Sequence, residues 1–459
     1  MKNYNITLIG LLYLLTSLFM SCEDYLDIEP PAHKIVSKTV FENDETAIGA
    51  MIGIENQLAS VHFSYGGGGS ITVLASLSAD ELMPIYTTKI PYMEFEQHEI
   101  QPNNPHNASL WSSAYNMIYM TNSLIEGLSN SNGLSEEIRQ RIEGQAKFVR
   151  AFTYFYLVNL YGEIPLITNT DYHANSLAAK NPEGQIYDQI ITDLHDAMEL
   201  IPVDFEGSER TNINRYTAMA LMARVQLFLE NWGQAESMST GVILQNNYEI
   251  LEDLKLVFLA NSREAIWQIS PEGKGSPLTN TSEGGTFIIR PIFYFLAQFQ
   301  LEPSFVSSFQ PEDKRLSEWI ELHVGTGYYF PHKYKVYSST EEVTEYSMVL
   351  RLAEQYLIRA EARARQGNLS GAIEDLDVIR GRAGLDLIAE TLPEIEQEEL
   401  LNLIMKERKK ELFTEWGHRW LDLKRTGRAG TIFGVEESWQ QTDLFYPIPE
   451  SERMKNPNL

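Results

Sequence analysis

Cysteine is almost missing: Cys22 is the only one in 459 residues. An internal disulfide is therefore excluded, and so is a metal site built from cysteines. Lys/Arg-rich runs are absent too, and the formal net charge is -27. Such a chain repels the phosphate backbone, which argues against a nucleic-acid partner. The longest uncharged apolar stretch, residues 6–20, has 15 residues. A bilayer-spanning helix needs roughly 20. There is no His-Glu-x-x-His zinc motif and no Gly-x-Ser-x-Gly elbow. The glycine run Gly66-Gly67-Gly68-Gly69 is not followed by Gly-Lys-Ser/Thr, so it reads as a flexible loop and not as a phosphate cradle. The nine histidines are scattered. These absences lead us to expect no cofactor, no metal and no enzymatic activity. What is present is a 43% apolar, 11% aromatic composition, enough to bury a substantial core.

The N-terminus reads as an export signal. Lys2 supplies positive charge, residues 6–20 the apolar region, and Ser21 a small residue before the cleavage point. Phe19-Met20-Ser21-Cys22 resembles a lipobox, so Cys22 is the expected acylation site and mature N-terminus. Several acyl chains on one cysteine anchor stably where a single chain binds only marginally. Glu23-Asp24 follows at once and resembles an export tag for the outer face of an outer membrane. We read 1–21 as signal peptide, 22–40 as lipidated tether and 41–459 as one domain.

Helical periodicity governs most of that domain. A first helix is predicted over 41–60, and 80–108, with four prolines, reads as a long irregular loop. Helices follow at 109–128, 135–161, 183–201, 213–230 and 232–245, the second with Ser135 as N-cap. The pattern breaks over an aromatic-rich insert, about 246–348, and resumes at 349–366, 369–380 and 397–415. Ala223 and Ala235 lie 12 residues apart, as do Ala360 and Ala372. Small residues at this spacing let antiparallel helices approach, as in tetratricopeptide repeats. The two pairs are far apart in sequence, so each is expected to bury its open face on other helices or the insert. The predicted fold is mostly α: helical repeats at about 109–245 and 349–425 forming a scaffold, with a loop-rich, partly β insert as ligand face.

Several segments in order resemble the SusD/RagB family. They are the start Cys22-Glu23-Asp24-Tyr25-Leu26-Asp27-Ile28-Glu29-Pro30-Pro31, then Trp111, Tyr115, Ile118 and Asn122, then EGQAKFVRAFTYFYLVNLYGEIP at 143–165, VLRLAEQYLIRAEA at 349–362, ERKKELFTEWGHRWLDLKR at 407–425 and FYPIPESERMKNPNL at 445–459. The resemblance implies a lipid-anchored outer-membrane protein facing the cell exterior. It implies glycan capture for a SusC-like TonB-dependent transporter, with peptide capture as the alternative. A surface glycosidase and a purely structural scaffold are the rivals from other classes. Arg150, Glu143, Glu407, Arg419 and Asp422 lie in these segments and read as scaffold charges that pair with each other or cap neighbouring helices. Glu407, Glu411 and Glu415, interspersed with Lys and Arg, read as an ordinary charged helix face.

For a ligand site, aromatic residues are the main signal. Residues 283–347 hold 14 Phe, Tyr and Trp in 65 positions, about twice the chain average. Phe287, Phe293, Phe295, Phe299, Phe305 and Phe309 read as core. Trp319, Tyr328 and Tyr329, near Gly325 and Gly327, are candidates for exposed rings, as are Tyr65, Tyr86 and Tyr92 on the first long loop. Such rings stack on pyranose C–H faces while polar neighbours bond the hydroxyls. Asp80-Glu81 is the one carboxylate pair singled out, because two acids at a suitable separation hydrolyse glycosides.

Overall fold

The structure is a computed structural model and describes residues 40–202, 209–274, 280–435 and 439–459. The expected signal peptide and tether lie outside these residues, save Val40. The main helices are α1 (Asp44–Leu58), α2 (Ile71–Leu77), α3 (Ile90–Glu96), α4 (Pro105–Ser129), α5 (Glu136–Tyr161), α6 (Glu183–Leu200), α7 (Arg215–Phe228), α8 (Trp232–Ile243), α9 (Leu352–Arg365), α10 (Leu369–Arg382), α11 (Gln397–Leu412) and α12 (His418–Arg425). Among the described residues, six short strands form three antiparallel two-stranded ribbons. β1 (Leu82–Pro84) pairs with β3 (Phe299–Leu301), β2 (Ala265–Ile269) with β6 (Ser347–Arg351), and β4 (Ile320–His323) with β5 (Tyr328–Pro331).

α5 is the central helix. Ser135 occupies its N-cap position in an extended conformation but makes no side-chain cap bond, and Glu136 and Glu137 face the positive end of the dipole instead. Gly162 ends the helix at φ +72, a conformation that glycine adopts without strain. From Phe148 to Val158 every residue is buried, because α4, α6 and α7 pack around it. Phe152 is the hub, its ring within 6.1 Å of Phe63, Phe148, Tyr156, Trp267 and Trp416.

The alanines behave as their spacing predicts: Ala223, Ala235, Ala360 and Ala372 are fully buried. α7 pairs with α8, and α9 with α10. The open faces, expected to pack through other helices or the insert, in part cover each other. α8 and α9 pack directly, and Ala223, Leu227, Ala235, Ile358 and Ala362 form one small core between them. The intervening hundred residues join the main core instead, with Trp267 against Phe152, so sequence separation says nothing about stacking.

Two loop readings also need correction. The segment 80–108 is not irregular throughout, since it contains β1 and α3, the latter opened by Pro91 in its first turn. The glycine run at 66–69 is packed. A Cβ at Gly67 would sit 2.2 Å from the Tyr65 ring, and one at Gly68 would sit 2.7 Å from the Tyr92 hydroxyl. Glycine is needed here for close approach.

The carboxylates Glu407, Glu411 and Glu415 are not a solvated face. Glu411 is fully buried and is shared by Arg315, Arg351 and Arg382. Glu407 takes Arg315 at 2.6 Å and Arg380 at 3.3 Å. Glu415 takes Lys333 and Arg351. Glu264 and Asp313 complete a set of five cations and five carboxylates, so the network is neutral. It ties the insert to α10 and α11. α11 ends at Leu412, and the chain then turns sharply, with Thr414 and Trp416 at φ +51 and +47. Non-glycine residues rarely hold that region without firm support. Here Trp416 is 2% exposed and its indole N–H donates to the Met348 carbonyl at 2.8 Å.

The other scaffold charges pair as expected, though mostly with partners the sequence did not indicate. Arg150 binds Asp193 and Asn122; Glu143 pairs with Lys147, Arg419 with Asp80, and Asp422 with Arg408 and Arg425.

Candidate functional site

β1–β3 pairing decides where the ligand-facing loops meet. It aligns Pro84 with Phe299, and Ile85 N–H donates to the Gln298 carbonyl at 2.8 Å. The loop after β1 and the loop before β3 therefore lie side by side. Tyr86 belongs to the first and donates its hydroxyl to the Phe295 carbonyl at 3.0 Å.

The second loop is unusual in its exposure. Ile292, Phe293, Tyr294, Phe295 and Leu296 are 75%, 46%, 47%, 56% and 56% exposed. Isolated exposed apolar residues are ordinary, but a run of five is the kind of contiguous patch that marks an interaction surface. The run is held by its neighbours as well as by Tyr86. The Arg290 guanidinium lies 4.7 Å from the Phe293 ring and 4.3 Å from the Tyr337 ring. No carboxylate or other hydrogen-bond partner engages Arg290 among the described residues, so its N–H groups remain available to a ligand. Tyr294 packs at 5.5 Å on His323, which joins the run to the β4–β5 ribbon. Gly68, Thr286, Arg290, Phe293, Gln298 and Tyr337 border a cleft of about 150 Å³ beside it.

The predicted rings divide accordingly. Tyr86 belongs to this surface. Tyr328 and Tyr329 are half-buried on β5, opposite His323 and Leu322, near the run but not in it. Trp319 leaves the candidate set: it is fully buried, its indole N–H donates to the Leu254 carbonyl, and Lys333 lies 4.9 Å from its ring. Tyr92 is 8% exposed and stacked on His106 at 4.3 Å. Tyr65 is half-buried, its hydroxyl accepting from Gly69 N–H at 3.1 Å. Both brace the glycine run. Cys22 lies outside the described residues. Phe287, Phe299, Phe305 and Phe309 are core, but Phe293 and Phe295, also read as core, are exposed. Arg290, Phe293, Tyr294, Phe295 and Tyr337 were thus missed. The one available signal was five apolar residues in a row directly after Pro291, which read equally well as a buried strand.

Asp80 and Glu81 do not face this surface together as a pair. Asp80 is clamped by Arg419 at 2.7 Å and Lys409 at 2.6 Å. Burial works against its ionisation, but Arg419 and then Lys409 bring its carboxyl down to about 2. Glu81 is 1% exposed; one oxygen accepts from Thr414 N–H at 3.3 Å and the other has no hydrogen-bond partner. Burial pushes it up to about 7, against the pull of Lys409. Between pH 4.5 and about 7 the folded state therefore keeps a proton that the unfolded chain has released. Stability contributed by this group is present at acid pH and is lost as pH rises through that window. Glu81→Gln is expected to flatten the slope and to be more stable than the parent at pH 8, by on the order of 2 kcal/mol. Urea titrations at several pH values would check it, and identical slopes would refute it.

The fold and this surface define a class: a helical-repeat scaffold that carries a loop-built, ring-bearing face. Comparison with known proteins narrows it. A family model described as starch-binding, associating with outer membrane, matches residues 24–227, and the SusD family model matches residues 320–459. SusD-like protein P2 of Formosa agariphila is 28% identical, with 100% of this chain and 99% of that protein aligned. A SusD-like carbohydrate binding protein of Bacteroides vulgatus superposes with a TM-score of 0.77 at 21% identity, covering 91% of this chain and 98% of that one. A laminarin binding SusD-like protein gives 0.76 at 21% identity, with the same coverage. The chain belongs to the SusD/RagB family.

Proposed function

We propose that this chain captures glycans at the outer membrane and passes them to a SusC-like TonB-dependent transporter, without making or breaking covalent bonds. The observation that carries the reading is the exposed run Ile292–Leu296, with the unspent Arg290 guanidinium held between Phe293 and Tyr337. Sugars present C–H faces that stack on rings and hydroxyls that bond to such a donor set. The family's outer-membrane description and the carbohydrate-binding relatives support the same reading. Acylated Cys22 would hold the protein in the outer membrane, facing outward, with residues 23–40 as tether. A peptide ligand would favour backbone donors and acceptors on a free strand edge, whereas here rings and a guanidinium are presented.

Calorimetric titration of the full chain with laminarin- and starch-derived oligosaccharides tests this. At least one should bind with unchanged product composition. Phe293→Ala with Phe295→Ala should weaken binding about tenfold, roughly 1.4 kcal/mol, within the range for two ring contacts. Unaltered affinity in the double variant would remove the surface from consideration.

A further inference from the structure

Lys409 and Arg419, the two partners of Asp80, line a groove with a strong charge bias. Its volume is about 950 Å³, near the top of the range for ligand-binding clefts. α11 forms one wall. Glu399, Asn402, Leu403, Lys406 and Lys410 line it at intervals of three and four, so they share one helix face.

The charge there runs against that of the chain. Arg380, Lys406, Lys409, Lys410, Arg419 and Arg428 line the groove, against the carboxylates Asp386, Glu399 and Glu407. Asp80, which holds Lys409 and Arg419, adds a fourth carboxylate, so two positive charges remain in excess. Elsewhere the chain carries a large negative surplus, with a net charge of -27. Among the described residues, three of these cations make no ion pair. Lys406 makes no ion pair and is exposed. Lys410, one turn on, has only the Phe309 ring, at 5.3 Å. Arg428 has only the Asn402 amide oxygen, at 2.7 Å. Like charges four residues apart on one helix face repel. Burial holds the Lys410 ammonium below its usual range, against the pull of Glu407 and Asp313 and with the help of Arg315 and Arg380. A bound anion would relieve that repulsion.

The rest of the lining chooses between anions. Ile388, Leu392, Leu403, Met405 and Ile432 supply aliphatic surface, and no Phe, Tyr or Trp lines the groove. A sugar acid would find no ring to stack on. A polypeptide alternating carboxylates with aliphatic side chains would match both features. We propose that this groove is a second binding site, which docks an acidic, aliphatic-rich segment of a partner protein by charge complementarity.

The test uses the full chain and a fluorescent hexapeptide of alternating Glu and Leu, followed by anisotropy. Its Gln-Leu counterpart, an oligogalacturonate and a laminarin oligosaccharide are run in parallel. The acidic peptide should bind, the Gln version at least tenfold more weakly, and added salt should weaken the complex. Lys406→Glu with Lys410→Glu should reduce peptide affinity at least tenfold and leave laminarin titration as in the parent. Lys406→Gln with Lys410→Gln should fall between, and thermal melts of both variants should stay close to the parent, because neither lysine makes an ion pair among the described residues and Lys410 loses only its contact with the Phe309 ring. Equal binding of the Gln peptide, no response to charge reversal, no peptide binding, or a preference for oligogalacturonate would overturn the proposal. Laminarin binding reports separately on the aromatic surface, so the two readings fail independently.

Discussion

Glu411→Ala is expected to destabilise the protein by about 3–5 kcal/mol. Glu411 is fully buried, and three guanidinium groups converge on it. Burial alone would push its carboxyl up, but Arg382, Arg351 and Arg315 overcome that and hold it well below the usual carboxylate range. Removing the carboxylate leaves Arg315, Arg351 and Arg382 buried with one anion too few. That residual charge sets the size of the loss; the net worth of the intact network is much smaller, because each ion gave up its hydration on folding. Urea denaturation measures it as a shift in midpoint with little change in slope. Glu411→Gln keeps the shape and some hydrogen bonds but not the charge, and should fall between the two. A loss below about 1 kcal/mol for the alanine variant would show that the cluster is hydrated and not a dry structural tie.

Phe152→Ala should cost a similar amount, about 3–5 kcal/mol, for a different reason. The ring is fully buried on α5 and touches rings from four other places in the chain or fold: Phe63 before α2, Trp267 on β2, Trp416 in the turn after α11, and Tyr156 one helical turn along. Deleting it removes apolar contact and opens a cavity that five large neighbours cannot fill without leaving their rotamers. Phe152→Leu, which restores most of the volume, should recover more than half. Both variants should unfold in one transition, and glycan affinity measured well below the melting temperature should match the parent, since Phe293 and Phe295 lie in a loop of the insert and not on α5. If Phe152→Ala left the melting temperature within a degree or two, the hub reading would be wrong.

These two sites differ in how far the sequence announced them. The stretch 143–165 is so dense in apolar residues that burial of Phe152 could be read directly, and its helix followed from periodicity. Glu411 could not be read that way. Its neighbours Lys409 and Lys410 made the segment look like a solvated face, and the arginines that bury it come from 315, 351 and 382. Periodicity reports how residues repeat along one element, not what packs against it. Trp319 and Phe293 show the same limit within one insert. Trp319, beside glycines, looked exposed, but Leu254, Phe258 and Lys333 close over it. Phe293 looked like core but lies in a loop that leaves it half exposed.

Read alone, the amino-acid order determined the helical repeats with their paired alanines, the family, the expected lipid-anchor signal at Cys22 and the lack of any metal or phosphate motif. All of these are carried by neighbours in the chain, where local backbone preference and side-chain period act. The tertiary structure alone decided that α8 stacks on α9, that ten charges, nine of them buried, neutralise one another around Glu411, and that Tyr86 meets Phe295 while Trp319 is sealed inside. Those outcomes depend on contacts between residues tens to hundreds of positions apart. Exposure and charge pairing are properties of such contacts, because a ring or carboxylate is wet or dry only according to what the rest of the fold places over it.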